Sequence, residues 1–145
     1  MSDRIVLDSD NTSMIGIADN GTNIAVYNLT TPSTPARVGV NIITVDTTDQ
    51  FCGAVGGGRV VVFADNAAAD DAYGTFNSLP IDNRTGWEYS VTGGLFDNAT
   101  ANAHCAMRYV GLSVDNRTFY MVVDNNTETS LFTIVDNTTA LTVTG

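Results

Sequence analysis

Residues 109–143 read YVGLSVDNRTFYMVVDNNTETSLFTIVDNTTALTV. Four apolar runs, Tyr109 to Val114, Phe119 to Val123, Leu131 to Val135 and Leu141 to Val143, are separated by Asp115-Asn116-Arg117, Asp124-Asn125-Asn126-Thr127 and Asp136-Asn137-Thr138. Asp and Asn bond their own backbone through short side chains and tolerate left-handed geometry, whereas β-branched and aromatic residues favour strands. Connections this short leave no room for a crossover helix. The stretch therefore predicts an antiparallel four-strand meander from about residue 106 to 144, reversing at Asp115, Asp124 and Asp136.

The same punctuation runs through the rest of the chain. The tetrad Asp-Asn-x-Ser/Thr begins at Asp10, Asp19, Asp82, Asp97, Asp115, Asp124 and Asp136. Its irregular intervals mark recurrent turn chemistry and not a solenoid repeat. Between turns, apolar residues alternate with a period of two: Ile15 and Ile17, Ile24 and Val26, Val38 with Val40 and Ile42, Val60 and Val62. Asp19-Asn20-Gly21 predicts a hairpin over about 13–28. Thr31-Pro32-Ser33-Thr34-Pro35 reads as a loop, because each proline withholds a donor and extends its predecessor. Asn66 to Ala72 and Ala99 to Met107 are read as short helical turns, the second equally as the start of a strand. The expected fold is a single all-β domain over residues 1–145, an antiparallel β-sandwich or barrel of roughly ten to twelve short strands with a C-terminal four-strand meander.

Of the 145 residues, 43% are hydrophobic and only 15% charged, against roughly 25% charged in ordinary soluble domains. Thr and Asn must wet the surface instead. Sixteen acidic residues against six arginines, with no lysine, give a formal net charge of -10. Arg4, Arg37, Arg59, Arg84, Arg108 and Arg117 are scattered singly, so neither nucleic acid nor an anionic membrane is an expected partner. No apolar run reaches the roughly 18 residues that span a bilayer, and Met1-Ser2-Asp3-Arg4 lacks the layout of a signal peptide. The chain reads as made and kept in the cytoplasm, with Cys52 and Cys105 as two free thiols; a bridge between them would overturn that assignment as well.

Several constellations invite chemistry. Gly53-Ala54-Val55-Gly56-Gly57-Gly58-Arg59-Val60 spaces two glycines like a phosphate-binding loop, but Arg59 and Val60 stand where lysine and a hydroxyl residue are needed, so a tight bend between strands is expected. His104 is the only histidine. It alternates with Cys105 on a strand, which points the two side chains apart; a meeting with Cys52 in the fold stays open. One His and two Cys cannot close a zinc site, and Asp8, Asp10 and Asn11, Asp46 and Asp49, or Asp70 and Asp71 offer oxygen ligands without calcium-loop spacing, so no metal or cofactor is expected. Glu88 and Glu128 are the only glutamates, and nothing selects a catalytic carboxylate pair. Trp87 and Tyr89 share a strand face and could carry a sugar, or pack as ordinary large aromatics. Asn-x-Ser/Thr acceptor sites at Asn11, Asn20, Asn28, Asn83, Asn98, Asn116, Asn125 and Asn137 fall almost wholly within the turns, so turn chemistry accounts for them.

No catalytic or cofactor-binding residue is assigned, and no enzyme is expected. The expected role is structural: a component of a virus particle such as a capsid decoration or cement protein, or a small tail or spike subunit. Its expected form is a homo-oligomer, a trimer in the first instance, seated on a larger shell such as a major capsid protein. Edge strands and the segments Met1 to Leu7 and Leu141 to Gly145 are the expected contacts. A carbohydrate-binding or adhesive β-sandwich is the alternative.

Overall fold

The computed structural model describes residues 5–19, 24–38, 51–66, 73–82, 89–94, 104–113, 116–124 and 129–145. They form twelve strands and no helix. The first sheet is β1 (Ile5–Ser9), β2 (Met14–Asp19), β3 (Ile24–Asn28) and β4 (Ala36–Val38); the second is β5 (Phe51–Gly56), β6 (Arg59–Asn66), β7 (Tyr73–Pro80) and β8 (Tyr89–Gly94); the third is β9 (His104–Ser113), β10 (Asn116–Asp124), β11 (Thr129–Asp136) and β12 (Leu141–Thr144). Each sheet is an antiparallel meander in chain order. The C-terminal meander and the hairpin of β2 and β3 stand where the sequence places them. Thr31 to Pro35 is a loop, closed by Thr34 N–H donating to the Thr31 carbonyl at 2.9 Å. His104 to Met107 are strand, as the second reading of that segment has it; residues 67–72 and 99–103 lie outside the described residues.

The sheets close no barrel but stack, with the second sheet in the middle. Every residue of Phe51–Gly56 and of 59–64 is buried, as are 76–79. Side chains alternate along a strand, so these residues serve two cores. Phe51, Val55, Val60, Val62, Ala64 and Leu79 pack with Ile15, Ile17, Ile24, Val26 and Val38 of the first sheet. Cys52, Ala54, Val61, Phe63 and Phe76 pack with Phe119, Met121, Val123, Phe132, Ile134 and Leu141 of the third. Cross-strand register keeps each set on one face: Val55 opposes Val60 and Val60 opposes Leu79, whereas Cys52 opposes Phe63 and Phe63 opposes Phe76. The Phe63 and Phe76 rings lie tilted with centroids 4.8 Å apart.

One expectation is overturned. Cys52 and Cys105 are joined in a disulfide, with Cα atoms 5.8 Å apart and a sequence separation of 53. The stacking brings the edge strand β5 against the edge strand β9, and both cysteines fall at that corner. The bridge therefore counts against a protein kept in the reducing cytoplasm.

Candidate functional site

The glycine-rich segment is a hairpin turn. Gly56 pairs with Arg59 across Gly57 and Gly58, whose φ angles of 56° and 76° make the two-residue turn that suits strand twist and that glycine adopts without strain. A strand follows it, as the β-branched run predicts, and Arg59 points inward. Its Nε donates to Asp136 Oδ2 at 3.0 Å and its Nη2 to Ser78 Oγ at 3.0 Å, and the Ser78 hydroxyl also donates to Asp136 Oδ2. Arg59 and Asp136 are almost wholly buried, so the residue standing where a phosphate-binding lysine belongs is spent clamping the middle sheet to the third. Both outer sheets grip the turn. Gly57 N–H donates to Asp10 Oδ2 at 3.2 Å, Arg117 Nε donates to the Gly57 carbonyl at 2.5 Å, and a Cβ at Gly56 would fall inside the Tyr109 ring.

The two ends of the chain use the same turn tetrad differently. In Asp10-Asn11-Thr12-Ser13 the aspartate caps the turn, accepting from Thr12 N–H at 2.8 Å, the Thr12 hydroxyl at 3.0 Å and Ser13 N–H at 2.7 Å. Burial alone would push the Asp10 carboxyl up, but these bonds and the Gly57 N–H outweigh it and hold it below the usual aspartate range. In Asp136-Asn137-Thr138-Thr139 the cap has moved to Asn137, whose Oδ1 accepts from Thr139 N–H, the Thr139 hydroxyl and Ala140 N–H. Asp136 keeps one turn bond, its Oδ1 accepting from Thr138 N–H at 2.8 Å, and commits Oδ2 to the buried clamp. A solvated turn residue is the ordinary reading of that aspartate, and the structure replaces it.

A cleft runs along the seam where β1 and β9 flank β5. Asp8 spans it: its Oδ2 accepts from Val55 N–H at 2.8 Å, capping the unpaired edge of β5, and its Oδ1 meets Arg108 Nη1 at 3.3 Å. One compartment, of about 350 Å³, is lined by Ile5, Leu7, Gly53, Ala106 and the two bridged cysteines. A second, of about 340 Å³, lies between Ser9, Asp10, Asn11, Arg108 and Tyr109.

The outward face of the third sheet is the other feature that packing does not account for. Ala106, Val122 and Leu131 stand directly opposite one another across β9, β10 and β11, and the next row is Arg108, Tyr120, Thr133 and Thr144. Val110 is the extra residue of a bulge, since Thr118 faces Gly111 and Phe119 faces Tyr109. Val110, Tyr120, Val122 and Leu131 are 48%, 45%, 43% and 58% exposed. On these four strands Asp124, at the end of β10 opposite His104, is the only acidic side chain among the described residues that faces outward. The first sheet shows a similar face, with Ile5, Leu7, Met14 and Tyr27 exposed and no acidic residue among its described outward positions.

The remaining expectations divide simply. His104 is exposed and does not meet Cys52, which bonds Cys105 instead. Asp8 and Asp10 bind backbone and Arg108, and among the described residues no group of three or more His, Cys, Asp or Glu converges as metal ligands would. Trp87, Asp46, Asp49, Asp70 and Asp71 lie outside the described residues, as does the Tyr89 side chain, so the sugar platform falls there too. Sequence reasoning missed the buried clamp and the outer face; the unbroken apolar run Phe119 to Val123 was the available signal for the second, since a strand with one face in a core needs apolar residues only at alternate positions. Comparison with protein-family models, with curated proteins and with solved structures returned no match.

Proposed function

We propose that this chain is a non-enzymatic structural protein of a virus particle, a capsid decoration or cement protein or a small tail or spike subunit, that works by packing identical copies onto a larger protein shell. The observation that carries this reading is the outward face of the third sheet. Four large apolar side chains lie bare on it in a chain of net charge -10, with no carboxylate at the centre of the patch. Contact surfaces are depleted of charge at their core and ringed by polar groups, and Thr118, Thr133, Thr142 and Thr144 supply such a ring here. Acidic turns keep the free protein soluble by mutual repulsion.

In the proposed assembly the outward face seats on the shell, and edge strands join the copies to one another. β1 and β12 are edges of their sheets, and an edge that pairs with a different edge of its neighbour closes a ring such as the trimer expected from the sequence. The protein is proposed to be made in the host cytoplasm and carried on the virion, with a major capsid protein as the natural shell.

Sedimentation velocity and native mass spectrometry of the purified chain and of the source particle test this. A trimer, and a particle that binds the wild type but not Leu131→Asp, are expected. A strictly monomeric chain never found on a particle would end the reading. The sugar-binding alternative around Trp87 and Tyr89 would then lead, to be checked by glycan titration of tryptophan fluorescence.

A further inference from the structure

We propose that the Cys52–Cys105 bridge is a latch that small thiols open and close in the folded protein through the cleft between β1 and β9. Both cysteines line that cleft, which at about 350 Å³ admits the reacting end of a small aliphatic thiol. The two sulfurs are not equally placed. Cys52 is 2% exposed and packed in the second core, whereas Cys105 lies half-buried on an edge strand at the margin of the same cluster. The incoming thiolate attacks Cys105 Sγ, the protein S–S bond breaks, and Cys52 Sγ leaves with the electron pair and takes a proton from water. A second small thiol attacks the mixed disulfide on the sulfur of the small molecule and releases Cys105 as a thiol. The net change is one protein disulfide reduced to two thiols and two small thiols oxidised to one disulfide.

The corner does not depend on the bridge alone, which is what makes it a latch. Asp8 holds Val55, Arg117 holds the Gly57 carbonyl and Tyr109 fills the space over Gly56, so β1, β5 and β9 remain tied with the sulfurs apart. A reduced Cys52 is a small apolar side chain in an apolar cluster and needs no new partner. Together with the cytoplasmic synthesis proposed above, on which only this last step rests, the latch is open while the chain is made in a reducing compartment and closes once the particle is released.

The test uses the whole chain without denaturant. Dithiothreitol followed by alkylation and mass measurement should add two labels per chain, at a rate within about tenfold of that in guanidinium chloride. The reduced protein should keep its β-sheet circular dichroism, melt about 5–15 °C lower and recover its original melting temperature in oxidised glutathione. A bridge that opens only on global unfolding, at least a thousandfold more slowly than in denaturant, would overturn the latch. None of these readouts involves a particle, so a failed latch leaves the assembly reading standing.

Discussion

Arg59 and Asp136 meet between two sheets where neither reaches water, and that placement decides what substitution does to them. Removing one member of a buried pair strands the other charge, at a cost of about 3–5 kcal/mol, whereas replacing both by apolar residues is often neutral. Asp136→Ala should therefore lower the urea midpoint by that equivalent, and Arg59→Met with Asp136→Leu should recover most of it. The glycines of the adjoining turn separate two kinds of demand. Gly58 has a positive φ and open space around it, so Gly58→Asn should cost less than about 1 kcal/mol, since Asn tolerates the left-handed region. Gly56 is covered by an aromatic ring, and Gly56→Ala should cost about 1–3 kcal/mol through overpacking. Asp10 adds a pH signature. Its carboxyl titrates lower in the fold than in the unfolded chain, so its contribution is complete above the unfolded value of about 3.9 and is lost as pH falls through the folded one. The stability difference between wild type and Asp10→Ala should shrink as pH is lowered from about 5 toward 2, as chemical denaturation will show.

Strands and turns were the most legible elements, for a physical reason: an Asp-Asn tetrad is a local device, and its chemistry needs no distant partner. The alternation of Ile15 with Ile17 and of Ile24 with Val26 likewise located one buried face each. Residues that act across the chain were opaque. Nothing near Asp136 announces Arg59, 77 residues away, and nothing near Asp8 announces the free edge of Val55. Between these extremes stand the unbroken runs Val60 to Phe63 and Phe119 to Val123. The first is apolar throughout because both its faces are cores; the second has one face in a core and the other bare. A continuous run does not say which. If the bare face serves contact and not stability, Val122→Thr and Leu131→Thr should each change the folding free energy by less than about 0.5 kcal/mol while weakening attachment to the particle.

At the scale of the molecule, the middle sheet belongs to both cores, and neither outer sheet can lose its cover without exposing it. Unfolding should accordingly be a single transition, coincident by far-ultraviolet circular dichroism and by tryptophan fluorescence. Hydrogen exchange followed by mass spectrometry should find the slowest amides in β6, between its two partner strands and beneath both clusters, at protection equal to the global stability. Faster exchange there than in β10 would contradict the stacking.

The order of the layers also sets a timetable for synthesis. The N-terminal meander is complete once Val38 has left the ribosome, yet Ile15, Ile17, Ile24, Val26 and Val38 wait for β5, β6 and β7 to cover them. At 5–20 residues per second the roughly 40 residues up to Pro80 take about 2–8 s to appear, and through that interval a finished sheet stands with its apolar side open to the crowded surroundings of the ribosome. The nascent chain is thus most vulnerable to aggregation before its middle layer exists, and slow codons between 39 and 80 would lengthen that exposure.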